Sequence, residues 1–292
     1  MQESLSLWIK GARPRTLPAA IAPVAVGTAC VSVEANATAN WSNAILALIV
    51  SLALQVAVNY ANDYSDGVRG TDDKRVGPLR LVGSGAKTAS AVKRAAFLSF
   101  GVAAIFGLIL ALLTSLWLLV VGVLCILAGW FYTGGKKPYG YFGLGEVFVF
   151  VFFGVVATTG TTFVIIEKLT VTSFTASLVV GALACALLAV NNLRDIDGDT
   201  LARKRTLAVR LGDKKARSFF VSLFVLALLA IFMLALSYPL ALLGLIGLSS
   251  AFASIKRVRS GAVGSELISV LSMTGRTQIL TAITLSIGLI LS

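Results

Sequence analysis

The sequence predicts an all-α integral membrane protein built as a bundle of about nine transmembrane helices. Hydrophobic residues make up 57% of the 292 residues and charged residues only 13%, a composition typical of polytopic membrane proteins. Apolar runs long enough to cross a hydrocarbon core of about 30 Å recur along the chain. No region has ordinary globular composition, so residues 1–292 are interpreted as one membrane domain.

Nine apolar runs are long enough to be spans. They cover residues 16–33, 42–61, 95–113, 115–133, 144–166, 172–193, 218–236, 239–255 and 274–291. The first run carries Pro18 and Pro23 and is followed by no small-residue cleavage site. The start of the chain is therefore predicted to stay in place rather than to be removed as a signal peptide.

Basic residues fill alternate loops. They are Lys10, Arg13 and Arg15, seven residues between 69 and 94, Lys136 and Lys137, eight residues between 194 and 217, and Lys256, Arg257 and Arg259. By the positive-inside rule, the N-terminus and these loops face the cytoplasm of a cell membrane. The net charge of +12 is thus mostly a topology signal. The sequence has no basic helix with interleaved aromatic residues, so it gives no indication of nucleic-acid binding.

Cysteine and histidine limit the chemistry of any site. Cys30, Cys125 and Cys185 all fall inside apolar runs, which favours small core residues over a disulfide or a sulfur-ligated metal. Histidine is absent. A bound metal should therefore be a hard cation with oxygen ligands.

All eight aspartates occur in two clusters that follow apolar runs. They are Asp63, Asp66, Asp72 and Asp73 in the first cluster and Asp195, Asp197, Asp199 and Asp213 in the second. The two junctions, AVNYAND from Ala57 and AVNNLRD from Ala189, share the pattern AVNxxxD. This similarity is interpreted as a weak internal repeat.

Helical spacing would place each cluster on one helix face. If the helices continue through these segments, one face holds Asn59, Asn62, Asp63 and Asp66, and the other holds Asn191, Asp195 and Asp199. Two such faces opposed across a bundle could bind two divalent cations through carboxylate and amide oxygens. The alternative is that both are polar helix ends solvated by the cytoplasm.

Basic residues next to both clusters indicate a phosphate ligand. They are Lys74, Arg75 and Arg80 after the first cluster, and Arg194, Arg203, Lys204 and Arg205 around the second. Such cations suit phosphate oxygens. Metals, cations and an apolar bundle together favour a lipid diphosphate whose hydrocarbon tail lies among the helices.

The paired clusters resemble the aspartate motifs of the UbiA-type intramembrane prenyltransferases, NxxxDxxxD and DxxxD. Asn62 and Asp66 match the first motif, within 59–73, and Asp195 and Asp199 match the second, within 191–199. Gly70 stands at the third place of the first motif, with Asp72 as the natural substitute. Four further stretches resemble one branch of the family: ARPRTLPAAIAPVAVGTA, GPLRLVGSG, YTGGKKPYGYFGLGEVFVFVFFG and KRTLAVRLG.

The resemblance implies a fold, a reaction and a cofactor. The bundle would enclose a central cavity that is open to lipid and capped by cytoplasmic loops. A polyprenyl diphosphate would lose diphosphate, and the ring carbon of 1,4-dihydroxy-2-naphthoate that bears the carboxylate would take the prenyl chain with loss of CO₂. The cofactor would be Mg²⁺, as two ions, with Mn²⁺ as an alternative.

The resemblance also assigns residues to roles. The expected catalytic residues are Asp66, Asp195, Asp199, Tyr132 and Lys136, the last two matching a YxxxK pattern of the family. The expected metal ligands are Asn62, Asp63, Asp66, Asp72, Asn191, Asp195 and Asp199. The expected substrate contacts are Arg13, Asn59, Asn62, Lys74, Arg75, Arg80, Glu146, Lys204 and Arg205. Aromatic faces from Tyr60, Tyr64, Trp130, Phe131 or Tyr132 could stabilise an allylic cation.

Three of these residues have plainer interpretations that the sequence leaves open. Arg13 could bind the acceptor carboxylate or only anchor the first span. Lys136 could contact substrate or only mark the topology. Glu146 could orient a substrate hydroxyl or satisfy backbone groups at a helix N-terminus.

Two rival functions remain. Acidic helix ends in such a bundle could line a divalent-cation transporter, although no aspartate lies elsewhere in the chain to continue a pathway. Within the enzyme class, the acceptor could be 4-hydroxybenzoate, homogentisate or haem.

Overall fold

A computed structural model describes residues 2–34, 38–71 and 79–292, and every regular element within these ranges is helical. The α-helices are α1 Gln2–Ala12, α2 Pro18–Cys30, α3 Ser42–Val68, α4 Ala89–Leu113, α5 Trp117–Phe131, α6 Gly145–Val149, α7 Ala157–Ile166, α8 Val171–Arg194, α9 Ile196–Leu201, α10 Leu207–Ala235, α11 Gly244–Ser249, α12 Ala251–Arg259 and α13 Glu266–Ile290. A π-helical segment, Phe150–Val156, joins α6 to α7. Short 3₁₀ segments cover Pro14–Thr16, Val31–Val33, Tyr139–Phe142 and Pro239–Leu243.

The all-helical membrane architecture is confirmed, and each of the nine predicted spans contains helix. Five helices of the described chain are long and apolar enough to cross a membrane, or up to seven spans if each bent helix pair counts as one. The predicted run 115–133 contains the shorter helix α5, and the run 274–291 lies in α13 up to Ile290.

Helix boundaries differ from the apolar runs where polar residues continue a helix or proline bends one. Helix α3 extends to Val68, beyond the end of its apolar run at residue 61, and so carries Asn62 and Asp66 of the first motif on regular helix. The first span is preceded by α1 and bends by 53° between Thr16 and Pro18. Pro18 stands in the first turn of α2, where a missing N–H donor costs nothing, and Pro23 lies inside the same helix.

Helix α8 lies at the centre of the bundle. In α8, 83% of the apolar stretch is buried, whereas the buried share is 28–39% in the other four long spans. It packs against α2, α10, α13 and the π-helical segment. Its five alanines and Gly181 allow this crowding, since small residues let helix backbones approach closely. The second aspartate motif begins at the C-terminal end of α8.

Gly154 and Gly181 mark the closest approach in this packing. A Cβ added to Gly154 would lie 2.5 Å from the Cα of Gly181. The obstacle is backbone, so it cannot move aside as a flexible side chain would. The π-helical segment is thereby seated directly on α8.

We expect Gly154→Ala to lower the free energy of unfolding of the purified protein by about 1–3 kcal/mol, because one added methyl group overpacks this contact. Gly101→Ala is the matched control, since a Cβ at Gly101 in α4 meets nothing within 4 Å. It should be neutral or slightly stabilising, because alanine is the better helix former. Equal melting temperatures for the two variants in detergent would contradict the proposed contact.

Candidate functional site

A cavity of about 750 Å³ lies inside the bundle. Its polar end is lined by Arg13, Asn62, Asp66, Arg80, Thr133, Asn191, Asp195 and Lys204. Apolar side chains line the rest, among them Leu54, Leu110, Leu118, Val121, Phe148, Phe152, Phe153 and Val164. The cavity is therefore amphipathic, with charged groups at one end and a hydrocarbon-like wall beyond them.

The first motif reaches the cavity on the last turns of α3. Asn62 accepts a hydrogen bond at its Oδ1 from the Thr133 hydroxyl at 2.7 Å. Asp66 is 3% exposed, and its Oδ1 accepts a hydrogen bond from the Tyr141 hydroxyl at 2.8 Å. Its Oδ2 lies 3.6 Å from Arg80 Nη2 and 4.0 Å from Lys204 Nζ. Cations from two other segments thus balance this buried carboxylate.

Asp63 does not join Asp66 at the cavity. It is fully buried, and its two oxygens accept hydrogen bonds from the backbone N–H groups of Leu81 and Val82 at 2.8 and 2.9 Å. This geometry does not support the predicted metal ligand at this position, because Asp63 is outside the cavity lining and both of its oxygens serve backbone donors. Asp63 instead fixes the segment that carries Arg80 to α3.

Asn59 lines the cavity but also connects two segments of backbone. Its side-chain amide donates to the Ala12 carbonyl at 2.8 Å and to the Thr16 hydroxyl at 3.0 Å. Its Oδ1 accepts a hydrogen bond from Gln55 at 3.3 Å. Asn59 therefore holds the Pro14–Thr16 segment, and with it Arg13, against α3.

The helix of the second motif is broken, whereas the sequence suggested one continuous face. Helix α8 ends at Arg194, Asp195 has non-helical φ and ψ of −95° and 6°, and α9 begins at Ile196. Asn191 and Asp195 both line the cavity. Arg194 donates to both oxygens of Asp195 at 2.7 Å and to Asn191 Oδ1 at 2.8 Å. The guanidinium therefore orients two expected ligands together.

Lys204 connects the two motifs. Its Nζ lies 4.0 Å from Asp66 Oδ2 and 3.7 Å from Asp199 Oδ1. Asp199 Oδ2 also accepts a long hydrogen bond of 3.5 Å from the Thr206 hydroxyl, and Thr206 caps α10. The lysine thus supplies the positive charge that lies between carboxylates of different motifs.

The donor set at the polar end fits a hard divalent cation. Asp66, Asp195, Asn62 and Asn191 present carboxylate and amide oxygens to one cavity, which is the chemistry that Mg²⁺ prefers. In the described ranges, 2–34, 38–71 and 79–292, no three Asp, Glu, Cys or His side chains are clustered as a ready metal site. The aspartates instead lie beside Arg80, Arg194 and Lys204.

Arg13 lies at the polar end in a strained conformation. Its φ of 54° is in the left-handed region, which a non-glycine residue rarely adopts without a compensating constraint. Pro14 follows directly and disfavours the right-handed helical region for the residue before it. Helix α1 ends at Ala12, and the Arg13 side chain lines the cavity.

The other predicted residues are distributed unevenly. Of the aromatic side chains proposed to stabilise an allylic cation, Tyr132 lines the cavity. The other four do not, namely Tyr60, Tyr64, Trp130 and Phe131. Lys136 and Arg205 are exposed and lie outside the lining. Glu146 is buried and outside the lining, and its Oε1 accepts a hydrogen bond at 2.9 Å from Asn192, which does line it. Asp72, Lys74 and Arg75 lie outside the described residues.

Gly70 has a structural reason to replace the third aspartate of the first motif. Helix α3 has ended, and Gly70 has a φ of 71°, a left-handed conformation that glycine adopts without steric cost. The series of candidate ligands on one face of α3 therefore ends at Asp66.

Sequence reasoning missed three residues that shape the site. Thr133 donates to Asn62, Tyr141 donates to Asp66, and Arg69 donates to the carbonyls of Thr133 and Gly135. At the level of sequence, Arg69 is only one of the basic residues that indicate which loops are cytoplasmic. The available signal was the density of aromatic and glycine residues in YTGGKKPYGYFG, which indicates a tightly packed loop but no particular partner.

Comparisons with known proteins match the chain to one family. Residues 20–266 match the model of the UbiA prenyltransferase family. The chain is 49% identical over 280 residues to the 1,4-dihydroxy-2-naphthoate octaprenyltransferase of Mycobacterium tuberculosis, covering 96% of this chain and 95% of that protein. It is 35% identical to the enzyme of the same name from Escherichia coli, covering 98% and 95%.

Solved structures resemble the fold as well. A UbiA homologue from Archaeoglobus fulgidus bound to GPP and Mg²⁺ superimposes with a TM-score of 0.70 at 13% identity, over 98% of this chain and 99% of that one. An apo structure of a UbiA homologue from Aeropyrum pernix gives a TM-score of 0.68 at 16% identity, over 94% and 97%.

We expect Asp63→Asn to destabilise the protein by about 1–3 kcal/mol, because the new NH₂ group would face a backbone N–H donor in place of an acceptor. Asp213→Asn is the matched control, since Asp213 forms an exposed ion pair with Arg217 of the kind that contributes about 0–1 kcal/mol. Melting temperatures in detergent measure both effects. Lost turnover with an unchanged melting temperature would instead restore Asp63 as a ligand.

Proposed function

The chain belongs to the UbiA prenyltransferase family, and we propose that it transfers a polyprenyl chain from polyprenyl diphosphate to 1,4-dihydroxy-2-naphthoate, with loss of CO₂ and diphosphate. Curated relatives that are 35–49% identical over nearly the whole chain carry the name of this octaprenyl transfer. The product would be a demethylated menaquinol. The protein is a multi-pass membrane protein, and we place the motif end of its bundle at the cytoplasmic side of the cell membrane.

The amphipathic cavity is the observation that carries this proposal. A polyprenyl diphosphate has a doubly anionic or more highly charged head and a long hydrocarbon tail. The polar end offers Arg80 and Lys204 to the head, and the wall beyond offers side chains such as Leu118, Val121 and Phe152 to the tail. One cavity therefore supplies both environments that such a substrate needs.

Positive charge at the polar end would stabilise the leaving group. In the structure, Arg80 and Lys204 face Asp66. A diphosphate that enters the cavity would therefore bind to cations that are already in position. Asp66, Asp195 and Asp199, with Asn62 and Asn191, would hold two Mg²⁺ or Mn²⁺ ions, whose charge would stabilise the developing negative charge on diphosphate. Preorganised cations of this kind act most strongly where water is excluded.

The bond changes follow from the substrates. The bond between C1 of the prenyl chain and the diphosphate oxygen breaks, and C1 bonds to the ring carbon that bears the carboxylate. The bond to the carboxylate then breaks, its electron pair restores the aromatic ring, and CO₂ leaves. The apolar wall would shield the allylic cation from water. Aromatic side chains that line the cavity, including Tyr132, Tyr139 and Phe148, would stabilise its charge.

Arg13 is the proposed partner of the acceptor carboxylate. Its side chain lines the polar end, whereas Lys136, the other candidate from the sequence, is exposed and lies outside the lining. A carboxylate moved out of water without a cation would be costly. The planar guanidinium of arginine can pair with both of its oxygens.

The transporter alternative is not favoured. Beyond the polar end the cavity wall is largely apolar, whereas an ion pathway would need polar groups along its length.

The proposed reaction is tested by the mass of the product. Purified protein with Mg²⁺, geranylgeranyl diphosphate and 1,4-dihydroxy-2-naphthoate should yield the prenylated, decarboxylated quinol, detected by mass spectrometry. Asp195→Ala, and wild-type protein in excess EDTA, should both give no product. Product from 4-hydroxybenzoate or homogentisate with none from the naphthoate would reassign the acceptor, and undiminished turnover in EDTA would remove the metal from the proposal.

A second test separates the acceptor from the donor. Arg13→Lys should raise the KM for the naphthoate about tenfold, which corresponds to about 1.4 kcal/mol of lost bidentate binding. The KM for the prenyl diphosphate should change little. If only the latter constant rises, Arg13 contacts phosphate, and if neither changes, Arg13 anchors the helix.

A further inference from the structure

Tyr141 contacts the first aspartate motif although neither motif contains it. It lies in the 3₁₀ segment Tyr139–Phe142, between α5 and α6. Its hydroxyl donates to Asp66 Oδ1 at 2.8 Å, while Arg80 and Lys204 lie nearest to Oδ2. The two oxygens of one carboxylate thus face different partners, and this division fixes the orientation of the carboxylate plane.

Two cations hold the ring of Tyr141. The guanidinium carbon of Arg69 lies 5.3 Å from the ring centroid, and Lys204 Nζ lies 5.1 Å from it. Both distances are within the range of cation–π contacts. Lys204 also pairs with Asp66 and Asp199, so the ring packs against the residue that connects the motifs.

Backbone hydrogen bonds fix the surroundings of this ring. Arg69, just beyond α3, donates to the carbonyls of Thr133 and Gly135. The Tyr141 carbonyl accepts a hydrogen bond of 3.0 Å from the backbone N–H of Arg205, in the segment that follows the second motif. Tyr141 is therefore tied to three parts of the chain that meet at the polar end of the cavity.

The hydrogen bond from Tyr141 to Asp66 joins a hydroxyl donor to a carboxylate acceptor. A hydrogen bond from a neutral hydroxyl to an ionised carboxylate is about twice as strong as one between neutral groups.

We propose that Tyr141 is a positioning residue that holds the Asp66 carboxylate, through its Oδ1, in the orientation in which Asp66 binds Mg²⁺ together with diphosphate. The proposal rests on the proposed function for the identity of that ligand. Tyr141 itself touches Asp66 rather than substrate. Losing its hydroxyl should leave the Asp66 carboxylate held only at Oδ2, by Arg80 and Lys204, and should weaken ion binding rather than remove it.

Two tyrosine variants test this role. Tyr141→Phe deletes the hydroxyl and keeps the ring that Arg69 and Lys204 contact. Tyr238→Phe is the matched control, because the Tyr238 hydroxyl lies 3.2 Å from Thr172 Oγ1, at the opposite end of α8 from the second motif. The probes are Mg²⁺ and inorganic diphosphate. The first readout is the melting temperature of the purified protein as Mg²⁺ is added at fixed diphosphate, since a ligand of the folded state stabilises it.

In Tyr141→Phe, half-maximal stabilisation and half-maximal turnover should both require about tenfold more Mg²⁺ than in wild type, as expected for loss of one hydrogen bond to a charged group. The KM for the naphthoate should be unchanged, and Tyr238→Phe should titrate as wild type. A wild-type Mg²⁺ requirement in Tyr141→Phe would overturn the proposal, and so would a fall in the ligand-free melting temperature as its only effect. A shifted Mg²⁺ requirement in protein that does not prenylate the naphthoate would support the positioning role while refuting the proposed function.

Discussion

Neutralising one buried carboxylate organises the polar end of this bundle. Asp66 lies at the end of an apolar helix and is 3% exposed, where an unpaired ionised group would cost several kcal/mol. Its partners, Arg80, Tyr141 and Lys204, come from three segments far apart in sequence. Satisfying the carboxylate therefore requires these segments to converge over the cavity. The charged chemistry and the closing of the bundle at this end thus depend on the same contacts.

The same contacts suit a site that must accept a highly charged substrate. Arg80 and Lys204 need an anion whether or not diphosphate is present, and Asp66 needs a cation whether or not Mg²⁺ is present. Internal ion pairs satisfy both groups in the ligand-free protein. Mg²⁺ and diphosphate together are also a cation and an anion, so their arrival can replace the internal pairing without leaving a buried charge uncompensated. This balance favours binding of the two ligands as a pair.

Much of the fold and part of the site followed from the sequence, because hydropathy and helical spacing are local properties. All nine apolar runs contain helix, and Asp66, Asp195 and Asn191 line one cavity. Spacing could not separate Asp63 from Asp66, since that difference depends on where the backbone of Leu81 and Val82 lies. The helix break at Asp195 and the contacts of Tyr141 likewise depend on tertiary packing. An uncharged tyrosine in a loop gives no local signal of its partner.

The π-helical segment determines how long one face of a helix can serve as cavity wall. Between residues 148 and 164, the lining positions recur in four-residue steps: Phe148 and Val149, Phe152 and Phe153, Val156 and Ala157, Gly160 and Thr161, and Val164. In an α-helix each such step over-rotates by about 40°, so four steps would turn the last side chain about 160° away from the first. The wider turn at Phe150–Val156 offsets much of that drift. A residue gained or lost within this segment would rotate the side chains that follow it by about 100° and take them out of the wall. Variation that tunes the fit of a hydrocarbon tail can therefore proceed here by substitution at the lining positions, without a change in the length of the helix.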